Sequence, residues 1–455
     1  MSCDGGQSSA QPAPQRFSTF LALWATQVFA MAGSGITLFC VNAWLATALF
    51  PDEHQKADLA AALAAVNMAF LVASVFSAPL AGSITDRYDR RTVMMLSDIG
   101  NAVVNAAMAW AVLTGTGGLA AIVTLSALNA FVGSFHAAAL DTAYATLVPK
   151  AQLPRANGMM QTAWYMRLLL GPPLGAVIFG MPQMLRDRGW TAMGLESQPD
   201  GAAFGIAIHA VIYLLAGLAL LAIRIPSPEP ERGQHRFWSD VSMGWTYIAA
   251  RPSLFWLLAC FTMANFVASL ANVLSVLVVK FDTAADWAAQ GLSFEDALAR
   301  LGLATAVGGL AGGLAVSAWG GLKTRLARGL VVPMILAGAG LLAYAEGSFT
   351  VVLAGAASAA LAVPFMNAHS QSIWQSVVPS DKQGRVFAIR RVVAQCSLPL
   401  GSLAGGLLGG VASAATLTAV AGAVLLAFGV LQWLNPVLMR VGTADPADIR
   451  RRVAL

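Results

Sequence analysis

Charge is scarce in this chain, so each ionisable residue inside an apolar run is a candidate for chemistry. Asp98 sits in the run 92–114, Arg167 in the run 157–181, and His136, His209 and His369 in three others. An enclosed carboxylate or imidazole can take up and release a proton, and histidine does so near neutral pH. Asp98 is the better acidic candidate, ahead of Glu346 near the end of its run. Each lone histidine has a competing reading as a packed, hydrogen-bonded residue. Arg167 lies about 15 Å into a helix that starts near Asn157, at about 1.5 Å per residue. A charge at that depth is expected to face a cavity or a partner. It would bind an anionic group of a substrate, or pair with Asp98 or Asp141. The first apolar run carries Gln27 and Asn42 but no acid. Other chemistries find no support. There is no Gly-x-x-x-x-Gly-Lys-Ser/Thr loop, no His-Glu-x-x-His and no paired metal ligands. Cys3, Cys40, Cys260 and Cys396 are far apart and read as free thiols. No cofactor, no metal and no enzymatic activity are expected.

These residues must be positioned by helices in lipid. Of 455 residues, 57% are hydrophobic and 11% charged, against about 25% charged in soluble domains. Mean hydropathy is +0.68. Such a chain cannot cover a soluble surface, so the bilayer is its main solvent. A net charge of +5 would suggest nucleic acid for a soluble protein. Here topology accounts for it, and no nucleic-acid partner is expected.

Spans of about 20 apolar residues fall near 18–42, 59–81, 92–114, 118–146, 157–181, 203–224, 253–279, 301–320, 328–346, 349–376, 386–410 and 413–438. Twelve spans put both termini on one side. That side carries 21 of the 27 Lys and Arg residues, and the other carries five. By the positive-inside rule both termini are cytoplasmic and the protein is multi-pass in the cell membrane. Residues 1–16 and 441–455 read as cytoplasmic tails. Residues 17–224 and 252–440 read as two six-helix bundles joined by a Pro- and charge-rich linker, 225–251. The bundles share an internal repeat. Val148-Pro149, Arg155, Gly171 and Gly175 recur in order and spacing as Val378-Pro379, Arg385, Gly401 and Gly405. Amides such as Asn67, Asn101, Asn105, Asn129, Asn272 and Gln371 are too many to face lipid alone, so some must line a cavity. Trp24, Trp44, Trp110, Trp164, Trp256 and Trp374 would supply aromatic walls or sit in interfacial belts.

The segment Gly82-Ser83-Ile84-Thr85-Asp86-Arg87-Tyr88-Asp89-Arg90-Arg91 joins spans two and three. Asp86 and Arg90 are four apart, which on a helical turn lets them pair. The pattern Gly-x-x-x-Asp-Arg-x-x-Arg-Arg resembles the signature after the second helix of the major facilitator superfamily of secondary transporters. The resemblance extends from Phe17 to about Arg440. It implies an all-α integral membrane protein with twelve transmembrane helices in two pseudo-symmetric six-helix halves. It also implies that Gly82, Asp86, Arg87, Arg90 and Arg91 gate the cytoplasmic side, with Asp141 as the acidic partner. The plain alternative is a solvated loop that anchors topology. Trp319-Gly320-Gly321-Leu322-Lys323-Thr324-Arg325 is a weaker echo without the Asp. In span five, Gly171, Pro172 and Gly175 resemble the core of the family's antiporter signature, with Arg167 and Ala176 replacing its first and last Gly. Ordinary tight packing is the competing reading.

The runs Leu147-Val148-Pro149, Arg155-Ala156-Asn157 and Gly384-Arg385-Val386-Phe387 look like the macrolide-efflux and enterobactin-exporter branch. The expectation is an exporter of an amphipathic drug, antibiotic or secreted metabolite such as a siderophore. It would work by alternating access, with protons as coupling ion and Arg167, Asp98, His136, His369 and Gln27 as candidate substrate or proton residues. The alternatives are an uptake permease for a small metabolite and a membrane receptor or assembly protein that does not transport.

Overall fold

A computed structural model describes residues 17–148, 153–188, 200–223, 225, 237–322 and 324–441. The tails 1–16 and 442–455, Pro149 of the repeat, Lys323 and residues 226–236 of the linker lie outside the described residues. The first bundle contains α1 (Phe17–Trp44), α2 (Lys56–Arg87), α3 (Arg90–Thr114), α4 (Gly118–Leu147), α5 (Leu153–Asp187) and α6 (Asp200–Ala219). A linker helix, α7 (Phe237–Ala249), leads to α8 (Pro252–Leu277), the short α9 (Ala284–Ala289), α10 (Phe294–Trp319) and α11 (Leu326–Leu342). The second bundle is completed by α12 (Phe349–Val377), α13 (Ser380–Gly409) and α14 (Ala414–Trp433), followed by one turn, α15 (Pro436–Met439). Among the described residues twelve helices are long and apolar enough to span a membrane. The protein is an all-α, multi-pass membrane protein.

Several helices outrun their apolar stretches. α2 continues to Arg87 and α13 begins at Ser380, because helical hydrogen bonding persists where the chain enters the polar interface and hydropathy falls. This corrects the reading of the segment after span two. Asp86 lies in the last turn of α2, which Arg87 closes, Tyr88 is extended at φ −114° and ψ 161°, and Arg90 opens α3. Asp86 and Arg90 therefore do not share a helical turn. The break is enforced by Asp89, whose carboxylate accepts from Thr92 N at 3.0 Å and Thr92 Oγ1 at 2.8 Å and so caps α3. The linker is likewise not all irregular, since α7 packs on α13.

The repeat is visible as packing. α1 with α5, α2 with α4 and α3 with α6 are matched by α8 with α13, α10 with α12 and α11 with α14. A Cβ on Gly171 would lie 2.6 Å from Gly35 Cα, and one on Gly175 would meet the Phe39 ring at 2.7 Å. Their counterparts Gly401 and Gly405 set α13 against Phe266 O and Leu270 O of α8. Small residues at these crossings let backbones approach where lipid supplies no hydrophobic drive between helices.

The two halves meet at the face opposite the termini. Lys56 Nζ donates to Ala412 O at 3.0 Å, and Lys280 Nζ donates to Phe50 O at 2.5 Å and to Ala46 O. Both α1 and α8 end in a π-helical turn, Leu45–Leu49 and Val278–Asp282. Lys280 stands on the second turn and reaches carbonyls in and just beyond the first. A Cβ on Gly410 would lie 3.0 Å from Ala57 Cβ. The A57C/G410C pair is thus expected to form a disulfide under mild oxidation. It should stop transport at least tenfold and recover with reductant, read by gel mobility and transport in the same vesicles.

Candidate functional site

A buried polar chain crosses the first bundle. Asp98 lies eight residues into α3, about 12 Å along it, and is 1% exposed. His136 of α4 places Nδ1 2.7 Å from Asp98 Oδ1. Its Nε2 lies 3.1 Å from Gln27 Oε1 on α1. The sequence separates these three residues widely, and the helix packing unites them. A carboxylate and an amide carbonyl both accept, so the arrangement suits an imidazolium donating from both nitrogens. A neutral imidazole would keep one donor, and Gln27 would then turn its amide nitrogen towards the ring.

A second cluster adjoins the first. His209 on α6 is 2% exposed, and its Nδ1 lies 2.8 Å from Thr37 Oγ1. Its ring stacks 4.3 Å from that of Tyr213, four residues on. Tyr213 is within electrostatic reach of both Asp98 and Arg167, and Arg167 also acts on His209. Tyr213 did not emerge from the sequence. Its spacing from His209 on one helix face was the available signal.

Arg167 is half-buried on α5 and lines a cavity of about 330 Å³ between the bundles. The carboxylate of Asp98 is engaged by His136. The cavity walls come from α1, α5, α8, α10, α11, α12 and α14, with Tyr344 from the turn after α11. Among the described lining residues Arg167 carries the only charge, and Asn42 and Asn272 supply amides from opposite halves. The remaining wall is mostly apolar, and its size falls in the ligand-pocket range of about 300–1,000 Å³. Pro172 seats on Gly302 of α10, where a Cβ would lie 2.5 Å from Pro172 Cγ. The span-five motif therefore holds α5 between α1 on one side and α10 of the other half. No tryptophan stands among the described lining residues, and the aromatic side chains there are Phe39 and Tyr344. Trp110 is 65% exposed, and Trp374 is fully buried against Phe387.

The remaining candidates sit elsewhere. Gly82 has open space around it and Arg87 is exposed, while the side chain of Asp86 lies outside the described residues. Arg91 donates to Leu220 O at 2.6 Å and to Leu221 O, carbonyls just beyond α6. Asp141 is exposed at the end of α4, within electrostatic reach of Arg391 on α13 of the other half. His369 is engaged at both nitrogens by backbone. Leu322 N donates to its Nε2 at 2.9 Å and its Nδ1 donates to Phe365 O at 2.8 Å. It fits between Gly321, at φ +74°, and Gly329, and so ties down the turn after α10.

The profile of the Major Facilitator Superfamily matches residues 23–329. The chain belongs to this superfamily. Macrolide efflux protein A of Streptococcus pyogenes is 21% identical over 388 residues, covering 84% of this chain and 87% of that protein. A bacterial homologue of the human lysosomal transporter Spinster, in an inward-facing and occupied conformation, superimposes with TM-score 0.69. It is 13% identical, with 95% of this chain and 100% of that one covered. The nucleoside transporter NupG gives TM-score 0.61 at 13% identity, covering 91% of this chain and 98% of that one. Relatives of the superfamily thus include an efflux protein and a nucleoside transporter, and the fold fixes secondary transport of small molecules without fixing direction or substrate.

The bonding of His369 separates it from the buried chain. His369→Leu is expected to cost about 1–3 kcal/mol of stability by orphaning Leu322 N. It should leave the pH dependence of transport unchanged, checked by thermal unfolding in detergent and a pH series of uptake into vesicles.

Proposed function

We propose that this protein exports an amphipathic drug, antibiotic or secreted metabolite, siderophores included, by alternating access in exchange for protons. The observation that carries the reading is the Asp98–His136–Gln27 chain beside a mostly apolar cavity in which Arg167 is the one charge among the described lining residues. The face bearing the termini is placed in the cytoplasm, because it carries most of the Lys and Arg residues.

The chain of events follows from the geometry. One proton on His136 makes the Asp98 pair neutral overall, and its loss leaves a net negative charge in a medium of low dielectric. Gln27 responds to the change by reversing which end of its amide faces the ring. Gln27 shares α1 with Gly35, which packs on α5, and with Asn42, which lines the cavity. A proton bound at α3 and α4 is therefore communicated through α1 to the wall that holds the substrate. Since the two states bind the proton with different affinity, the pH gradient biases the equilibrium between them. Arg167 favours substrates with an anionic or strongly accepting group, and the apolar wall selects for the rest of an amphipathic molecule.

The test is energised accumulation of fluorescent drugs, macrolides and siderophores in cells with and without the protein. Lower accumulation of one class, abolished by a protonophore and by Asp98→Asn, is the expected result. For an anionic substrate Arg167→Gln should raise KM at least tenfold. Higher accumulation in the presence of the protein would establish uptake and overturn the export reading. Efflux that persists in Asp98→Asn with an unchanged pH profile would remove the pair from the coupling step.

A further inference from the structure

α3 and α4 run antiparallel, with Asp98 facing His136. The same register continues towards the face opposite the termini. Asn101 comes next, opposite Gly133, where a Cβ would stand 3.6 Å from Asn101 Nδ2. One turn further the register sets Asn105 opposite Asn129. Asn101 and Asn105 are 1% and 0% exposed. Asn105 Nδ2 donates to Asn101 O at 2.8 Å. The other amide atoms are not satisfied by protein: Asn101 Oδ1 and Nδ2, Asn105 Oδ1 and Asn129 Nδ2 have no partner. Buried amides are rarely left so, and a cluster of donors and acceptors is the setting in which interior water binds. Beyond Asn105 the seam turns mostly apolar, with Met108, Val112 and Ile122 almost wholly buried and Ser126 of α4 a buried polar residue opposite Met108. The polar stretch from Asp98 to Asn105 spans about 10 Å of helix.

We propose that the seam of Asn101, Asn105 and Asn129 is a water-binding site, whose short file of waters carries protons between the Asp98–His136 pair and the face opposite the termini. This rests on the proton-coupled reading of that pair. The asparagines do not titrate. They hold waters in line, each amide offering both a donor and an acceptor, so a proton can pass along the file. Gly133 leaves the α4 side of the seam without a side chain. Met108, Val112 and Ile122 close the far end in this conformation, which keeps the file from becoming an open leak. The titratable and charged groups facing the pair from neighbouring elements are Tyr213 on α6, with Arg167 on α5 beyond it, and Asp141 further along α4. Because Gly217 of α6 packs on Asp98, Tyr213 and His209 stand one and two turns further towards the face opposite the termini, level with Asn101 and Asn105, and Asp141 lies on the other side of the pair.

The test combines a hydration readout with a proton-transfer readout on the purified full chain. Hydroxyl radicals generated from bound water by a millisecond X-ray pulse oxidise adjacent side chains, including buried ones. Met108 and His136 are expected to be labelled in the native protein. Labelling of Met108 should fall at least tenfold in N101L/N105L and return in N101S/N105S. In parallel, the carboxyl infrared band that Asp98→Asn removes is followed after a pH jump. N101L/N105L should slow its response at least tenfold and leave its final amplitude unchanged, with N101S/N105S restoring the rate. An unlabelled Met108 in the native protein, or an unaltered rate in N101L/N105L, overturns the water file while leaving the pair as coupling site. A native protein with no pH-linked band at Asp98 overturns the coupling reading itself, even if Met108 is labelled. Leucine keeps asparagine's branched shape and count of side-chain heavy atoms and removes orphaned amides, so the double variant should fold. If it does not, native labelling and the serine pair decide the matter.

Discussion

An ionisable pair enclosed by a membrane bundle is tolerable only if each partner neutralises the other. Asp98 and His136, 2.7 Å apart, meet that condition, and much of the first bundle is arranged around them. Removing either partner would strand a charge in a low-dielectric interior, which costs several kcal/mol. The pair is therefore a sensitive switch. Its charge changes by one with one proton, and Gln27 on α1 is the group placed to register the change.

The rest of the fold converts that local change into movement. Gly35 and Gly171 bring α1 and α5 to backbone contact, and Pro172 of α5 seats on Gly302 of the other half. A shift of α1 is thus felt by α5 and through it by α10. At the face opposite the termini the halves are held by lysine-to-carbonyl hydrogen bonds and small-residue contacts. A bias from the proton site parts them only if the opposite arrangement is close in free energy.

Much of this was legible in the sequence. The twelve spans followed from composition, and the repeat of Gly171 and Gly175 in Gly401 and Gly405 foretold matched crossings of α5 on α1 and α13 on α8. Asp98, His136 and Gln27 were each visible as polar residues in apolar runs. Their union was not, because helix rotation about the axis decides which faces meet, and hydropathy is blind to rotation. The same blindness hid Tyr213 and left the tryptophans undivided between cavity wall and membrane interface. Asp86 and Arg90 do not share a helical turn for a local reason, since the Asp89 cap restarts the helix between them. His369 resembled His136 in sequence, and its backbone partners, Leu322 N and Phe365 O, distinguish it.

The central claim is that protonation of the Asp98–His136 pair sets the balance between the two faces. It is tested most directly by pulsed electron paramagnetic resonance distances across the face opposite the termini. Spin labels would be placed at D58C and V411C, with Cys3 and Cys396 replaced by serine. The closed arrangement described here fits an imidazolium at His136, so acid should enrich the short distance and alkaline pH the long one. In Asp98→Asn the two populations should no longer respond to pH. A distance distribution that shifts with pH in Asp98→Asn as it does in the native protein would contradict the account.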